Sequence, residues 1–201
     1  MKDSYHHGDL PAALRSASAE LIAERGPSGF SLREVARRAG VSHAAPAHHF
    51  GTTTGLLTSV ATEGYTHLAA AFDNAGEGII DPVARLTALG KAYVSVALSR
   101  PGHFTVMANK DLVDQDDPDF DEASKGCYAQ LLSAIEALAA THNPDLDING
   151  AAALTWSSVH GLAQLIPSMP MVRQDGMDPI LAAEQFVDRF AHLMINGYAK
   201  R

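Results

Sequence analysis

Apolar residues return every third or fourth position along nearly the whole chain, and alternating β-branched runs are missing. That period belongs to helices with one buried face, so the expected fold class is all-α. About nine helices are predicted. The first covers 10–24, with Leu14, Ala17, Leu21 and Ile22 inward and "RGPSG" as its stop. A second covers 32–39, and a short third ends near Phe50. Longer ones follow at 55–76, 81–99, 102–111, 121–140, 148–166 and 178–199, each opened or closed by Gly, Pro or Asp.

The stretch "SLREVARRAGVSHAAPAHHF" at 31–50 carries most of the local chemistry. Ser31 with Glu34 three residues on makes a capping box for the second helix. Gly40 supplies the positive φ of a tight turn, and Ser42 is the expected cap of the third helix. Val35, Ala36, Ala39 and Val41 form the packing set, with Ala36 small where the two helices cross. Two short helices joined this way make a helix-turn-helix. They leave Arg33, Arg37, Arg38, His43 and His48 for solvent or phosphate.

Charge agrees with a local role for this segment. The chain carries a net charge of −8, yet residues 1–50 hold six Lys and Arg against five Asp and Glu. An acidic protein is a poor general binder of nucleic acid, so any such contact is confined to one patch. A single cysteine, Cys127, excludes an internal disulfide framework and fits a reducing compartment. The first residues lack an apolar core with a small-residue cleavage site, and no apolar run approaches membrane-spanning length. The expected location is the cytoplasm, with no membrane partner. The run 111–122 has seven acidic residues in twelve but lacks the Gly and final Glu of a calcium loop, and reads as a solvated loop.

From the first helix through this segment to "GLL", residues 9–57, the sequence resembles the tetracycline-repressor (TetR) family of bacterial transcription regulators. Further on, "TWSSVHGLAQL" places Trp156, His160 and Gly161 in a W-x-x-x-H-G arrangement, similar to a subgroup named for its Trp-His-Gly motif. The resemblance implies a homodimer, with a DNA-binding domain at 1–53 and an effector-binding and dimerisation domain at 54–201. It implies a double-stranded DNA operator, a small-molecule effector and no cofactor. Site residues on the DNA side are Ser31, Arg33, Ser42, His43, Ala44, Ala45, Ala47, His48 and Thr53. Arg33 sits where family members often reach a guanine edge, and an arginine fork suits O6 and N7. The family usually has Tyr at the position of Ala47 and Lys at that of Thr53, both phosphate anchors. Their absence shifts affinity toward Arg33, the helix termini and an N-terminal arm with Lys2, His6 and His7.

Tyr93, Phe104, Met107, Tyr128, Trp156 and His160 are the aromatic and soft residues of the middle helices, and read equally as core or as effector pocket. His160, one turn after Trp156, either caps a pocket or bonds a carbonyl across a helix pair. On the last helix, Ala183, Phe186, Val187, Phe190, Leu193 and Met194 form a stripe wider than one neighbour needs, so part of it is expected to meet a second copy. A small, mainly apolar effector is expected to relieve repression, with the fourth helix as the lever.

The alternatives are an all-α enzyme or metal-binding protein and a helical interaction scaffold, neither binding DNA. The motifs G-x-S-x-G, H-E-x-x-H, G-x-G-x-x-G and G-x-x-x-x-G-K-[ST] are absent. Glu63 and His67, at i and i+4, are placed to share a metal, but the sequence shows no third ligand.

Overall fold

Asp9 starts the first helix in this computed structural model, its Oδ1 accepting from the Ala12 N–H at 3.0 Å. The structure describes residues 9–198, with side chains as far as 192. Lys2, His6 and His7 lie outside the described residues, as do the side chains of Leu193 and Met194. Among those described there is no strand, and the helices are α1 (Leu10–Arg25), α2 (Leu32–Arg38), α3 (Ala45–Phe50), α4 (Thr53–Gly76), α5 (Pro82–Ser99), α6 (Pro101–Met107), α7 (Pro118–His142), α8 (Ile148–Leu165), the single-turn α9 (Pro170–Arg173) and α10 (Pro179–Tyr198).

Contacts divide the chain into two compact units. The first comprises the residues up to Tyr65 with Arg100–Ser124; the second comprises Thr66–Ser99 with the residues from Lys125 onward. Helix α4 therefore supplies its first half to one unit and its second half to the other.

In the first unit, α1 buries two faces. Leu14, Ala17 and Leu21 pack with Val35 and Ala39 of the α2 segment and Leu56 of α4, closing the core under the short helices. Ala19 and Ile22 pack with Leu57, Val60 and Ala61 of α4, Val106 of α6 and Phe120 of α7. Helix α6 crosses α1 closely because Gly102 has no side chain; a methyl there would meet the Ala19 carbonyl. The half-buried Glu63 of α4 fastens both neighbours. Arg15 Nε of α1 donates to its Oε1 at 3.0 Å, and His103 Nε2 of α6 lies 3.0 Å from its Oε2. Burial pushes the Glu63 carboxyl up, but the hydrogen bonds from His103 and Arg15 outweigh it and hold the group below the ordinary carboxylate range.

The acidic stretch helps build this unit. Thr58 Oγ1 accepts from the Asp114 N–H at 2.9 Å, and Asp117 Oδ1 accepts from the Phe120 N–H at 3.0 Å as the cap of α7. That cap and Pro118 start α7 three residues earlier than the periodicity predicts. Helix α6 also stops at Met107 rather than 111, where Asn109 folds back on the Asp111 N–H.

In the second unit, α5 lies against α8 and α10. Gly90 sits at their meeting point, where an added Cβ would stand 3.2 Å from Val187 Cγ1 and 3.4 Å from Val159 Cγ1. At the surface, Lys91 of α5 pairs with Asp188 of α10 at 2.7 Å. Asp147 caps α8 and Asp178 caps α10, each carboxylate accepting a backbone N–H of the first turn.

Candidate nucleic-acid interface and effector cavity

Ser31 Oγ accepts from the Glu34 N–H at 3.3 Å, which is half of the expected capping box; the Glu34 carboxylate turns to Arg37 instead of reaching back to the Ser31 N–H. At the other end Gly40 takes φ +68°. Its N–H donates to Arg37 O at 3.3 Å, and the Val41 N–H donates to Ala36 O at 3.0 Å. This pair of bonds is the Schellman ending, and it fixes the angle at which the chain leaves α2. Val35 and Ala36 are fully buried and Ala39 nearly so, while Val41 is partly buried at the same core.

Ser42 does not cap α3. The helix starts at Ala45, and Ser42 contributes its backbone carbonyl to the Ala45 N–H at 3.0 Å. Pro46 is the reason. A helix starting just after Ser42 would set the proline ring against the Ser42 carbonyl in the fourth position, whereas a start at Ala45 leaves Pro46 in the first turn, where no donor is needed. Pro46 is buried, so it also serves as the packing contact of α3.

This turn leaves an exposed surface of Arg33 from α2 and His43, Ala44, Ala47 and His48 from the turn and α3, with Ala45 partly covered. Ser31, Ser42 and Thr53 are placed around it, Ser31 and Thr53 exposed and Ser42 likewise open to solvent. The three arginines of α2 are not equivalent. Arg37 forks onto Glu34 at 2.9 and 2.7 Å. That fork holds the Glu34 carboxyl down to about 2. Arg38 forks onto Glu24 of α1 at 2.8 and 2.6 Å. Among the described residues Arg33 has no such partner, so its guanidinium is the one α2 leaves for an outside acceptor.

The six aromatic and soft residues fall into two groups. Phe104 and Met107 lie on α6 in the first unit, Met107 against the core there. Tyr93, Tyr128, Trp156 and His160 come together in the second unit. Tyr93 Oη lies 2.8 Å from His160 Nδ1 and accepts from Trp156 Nε1–H at 3.3 Å, and Gln164 Nε2 lies 2.9 Å from His160 Nε2. The Tyr128 and Trp156 rings are 6.2 Å apart. Burial lowers the His160 pKa below its ordinary value. Trp156 is nonetheless 46% exposed and Tyr128 39%, so this network faces outward on one side.

A separate cavity of about 300 Å³ opens among α5, α7, α8 and α10 of the same unit. Its walls are Val83, Leu86 and Gly90 of α5, Ile135, Leu138 and Ala139 of α7, Ala151, Leu154 and Val159 of α8, and Val187, Phe190 and Ala191 of α10. Thr87, His142, Asn143 and Thr155 supply the polar atoms. Apart from Val187 and Phe190, expected in the dimer stripe, none of these residues stands out by type, because aliphatic side chains at helical spacing look like ordinary core. The available signal was an alanine or glycine within otherwise large apolar faces.

Within the predicted dimer stripe, Ala183 and Val187 are buried inside the unit, Phe186 is partly covered and Phe190 lies on the cavity wall. Among the described residues, the large apolar side chains that α8 and α10 expose are Leu154, Trp156 and Leu165, and Leu181.

Residues 86–190 match the family model described as Tetracyclin repressor-like, C-terminal domain, and residues 14–60 match that of Bacterial regulatory proteins, tetR family. Neither match singles out a Trp-His-Gly subgroup. The HTH-type transcriptional repressor Rv3405c of Mycobacterium tuberculosis is 40% identical over 52 residues, which is 26% of this chain and 28% of that protein. The likeness to that relative thus spans little more than a quarter of its length. A solved protein of unknown function from Rhodococcus sp. RHA1 is 30% identical with a TM-score of 0.75, covering 95% of this chain and 98% of that one. The TetR family transcriptional regulator PfmR of Thermus thermophilus is 19% identical with a TM-score of 0.72, over 91% and 97% of the two chains, a likeness of fold. Among the described residues no helix is long and apolar enough to cross a membrane.

Proposed function

Since the chain belongs to the tetR family of bacterial regulatory proteins, we propose that it is a dimeric DNA-binding repressor, released from a palindromic operator by a small, mainly apolar effector. The observation that carries the reading is the division of labour on α2. Arg37 and Arg38 are spent on carboxylates, and Arg33 stands exposed beside a turn of small residues and histidines. An arginine fork there suits a guanine edge, and Ala44, Ala45 and Ala47 leave room for a thymine methyl. His43, His48, Ser31, Ser42 and Thr53 are proposed to donate to phosphates, which position the head without reading sequence.

Dimerisation is proposed through α8 and α10. Leu154 and Leu165 are three turns apart on one face of α8, about half exposed, and Leu181 of α10 is exposed to a similar degree. A second copy would bury this apolar surface, and a two-fold interface repeats each contact. Phe186 extends the proposed surface along α10. The dimer brings two heads to successive major grooves roughly 34–36 Å apart. The effector is proposed to act in the second unit, where the cavity and the Tyr93–Trp156–His160 network share α5 and α8. Its binding would favour a dimer whose heads no longer match the groove spacing, with α4, common to both units, as the lever. An operator in bacterial DNA places this work in the cytoplasm.

A titration of the full chain onto the DNA upstream of its own gene tests the reading. Affinity should fall steeply with salt, by a slope of roughly 0.9 per phosphate contact, and should exceed that for a scrambled duplex. Equal affinity for both duplexes would leave only non-specific charge attraction.

A further inference from the structure

Three of the four helices around the cavity of the second unit bring an alanine to its wall, Ala139 of α7, Ala151 of α8 and Ala191 of α10. Gly90 of α5 also lies on it, but Val187 and Val159 already fill the space its side chain would take. Larger neighbours then hold the helices apart, and the space left is about 300 Å³. At roughly 30 Å³ for each water-sized group, that volume takes about ten non-hydrogen atoms.

Among the described residues the wall carries no Asp, Glu, Lys or Arg. A carboxylate or ammonium drawn inside would lose its water and gain no counter-charge, which is strongly unfavourable. The polar atoms that remain are few. The Thr87 hydroxyl already donates to the Val83 carbonyl. His142 Nδ1 meets Thr141 Oγ1 at 2.6 Å, and Asn143 Oδ1 accepts from the Asp145 N–H. The His142 Nε2 and the Asn143 amide nitrogen, where α7 ends, are left for a guest, together with the Thr155 hydroxyl. Phe190 is the one phenyl ring among these wall residues, so a flat aromatic guest finds no pair of phenyl faces to lie between.

We propose that this cavity binds an uncharged, slender aliphatic molecule of roughly ten non-hydrogen atoms, with one hydroxyl or carbonyl group held at the His142–Asn143 end. A medium-chain alcohol or ketone has this chemistry. The inference rests on the reading that the second unit carries the effector site, and it specifies what that site accepts.

Calorimetric titration of the full-length protein with 1-decanol, decanoate and decylamine is the test. Decanol should bind once per chain, and the two charged analogues at least tenfold more weakly. Ala151→Phe, at a partly exposed position, should abolish the decanol heat while the circular dichroism melt stays cooperative, and Ala139→Phe should do the same from the α7 wall. The inference is overturned if decanol gives no saturable heat, if decanoate binds as tightly, or if decanol binding survives in a folded Ala151→Phe. A parallel gel shift separates the two readings. Decanol that binds at the cavity yet leaves operator affinity unchanged upholds the ligand class and sinks the effector role. A wild type that binds operator but not decanol overturns the ligand class and leaves the DNA-binding reading standing.

Discussion

Replacing Arg33 with alanine removes a guanidinium that has no partner among the described residues and is exposed on α2. Folding should barely notice, since exposed substitutions away from caps and pairs stay within about 0.5 kcal/mol. Binding should notice strongly. Loss of a bidentate arginine contact to guanine costs about 1–3 kcal/mol of discrimination, which is roughly 5- to 140-fold in affinity at tenfold per 1.4 kcal/mol. Arg33→Lys should recover phosphate attraction but not the fork. The informative control is the double variant Glu34→Ala, Arg37→Ala. It deletes an ion pair closed at 2.7 and 2.9 Å, together with the longer contact of Glu34 to Arg25 at 3.6 Å, without changing net charge, and should alter operator affinity by less than about threefold. Fluorescence anisotropy with operator duplexes mutated one base pair at a time reads both effects. Arg33→Ala should flatten the profile at one symmetric pair of positions. If the double variant flattens it and Arg33→Ala does not, α2 presents a different face to DNA and the assignment is wrong.

Gly40→Ala forces a side chain into φ +68°, costing about 1–2 kcal/mol; the denaturation midpoint of the variant should fall accordingly, and an unchanged midpoint would mean that the α2–α3 turn relaxes. His160 titrates below its ordinary 6.5 because burial disfavours its charge, so the unfolded chain binds its proton first and stability falls as pH drops from about 6.5 through the folded value. His160→Gln should lessen that loss in melts between pH 7 and 5, and identical pH profiles would remove His160 from the account. Leu165→Asp combined with Leu181→Asp should shift sedimentation from dimer to monomer, and a persisting dimer would place the interface away from these exposed leucines.

What could be read from the sequence was what short-range chemistry decides. Ser31, Glu34 and Gly40 mark α2 and its turn within ten residues, and the packing set Val35, Ala36 and Ala39 follows from the same period. Even there Pro46 overruled Ser42, because a missing N–H restricts where a helix can begin more tightly than a hydroxyl can invite it. The spending of Arg38 on Glu24 was hidden for a different reason: it depends on how α2 crosses α1. Helix α9 falls between the predicted spans 148–166 and 178–199, with Pro170 in its first turn, where the missing N–H costs nothing. The cavity was harder still. It is set by residues far apart in the chain, such as Gly90 against Val187, and a void left by alanines has no signature of residue type. Choosing aromatics picked out a hydrogen-bonded network on α5 and α8, with Phe104 and Met107 falling in the other unit.

Footprinting of the purified protein on the DNA upstream of its own gene tests the central claim most directly. The account predicts two protected major-groove patches on one face, related by a two-fold axis and separated by roughly one helical turn or a multiple of it, with protection lost in Arg33→Ala. A footprint without sequence preference, or a single half-site protected as strongly as the palindrome, would contradict it.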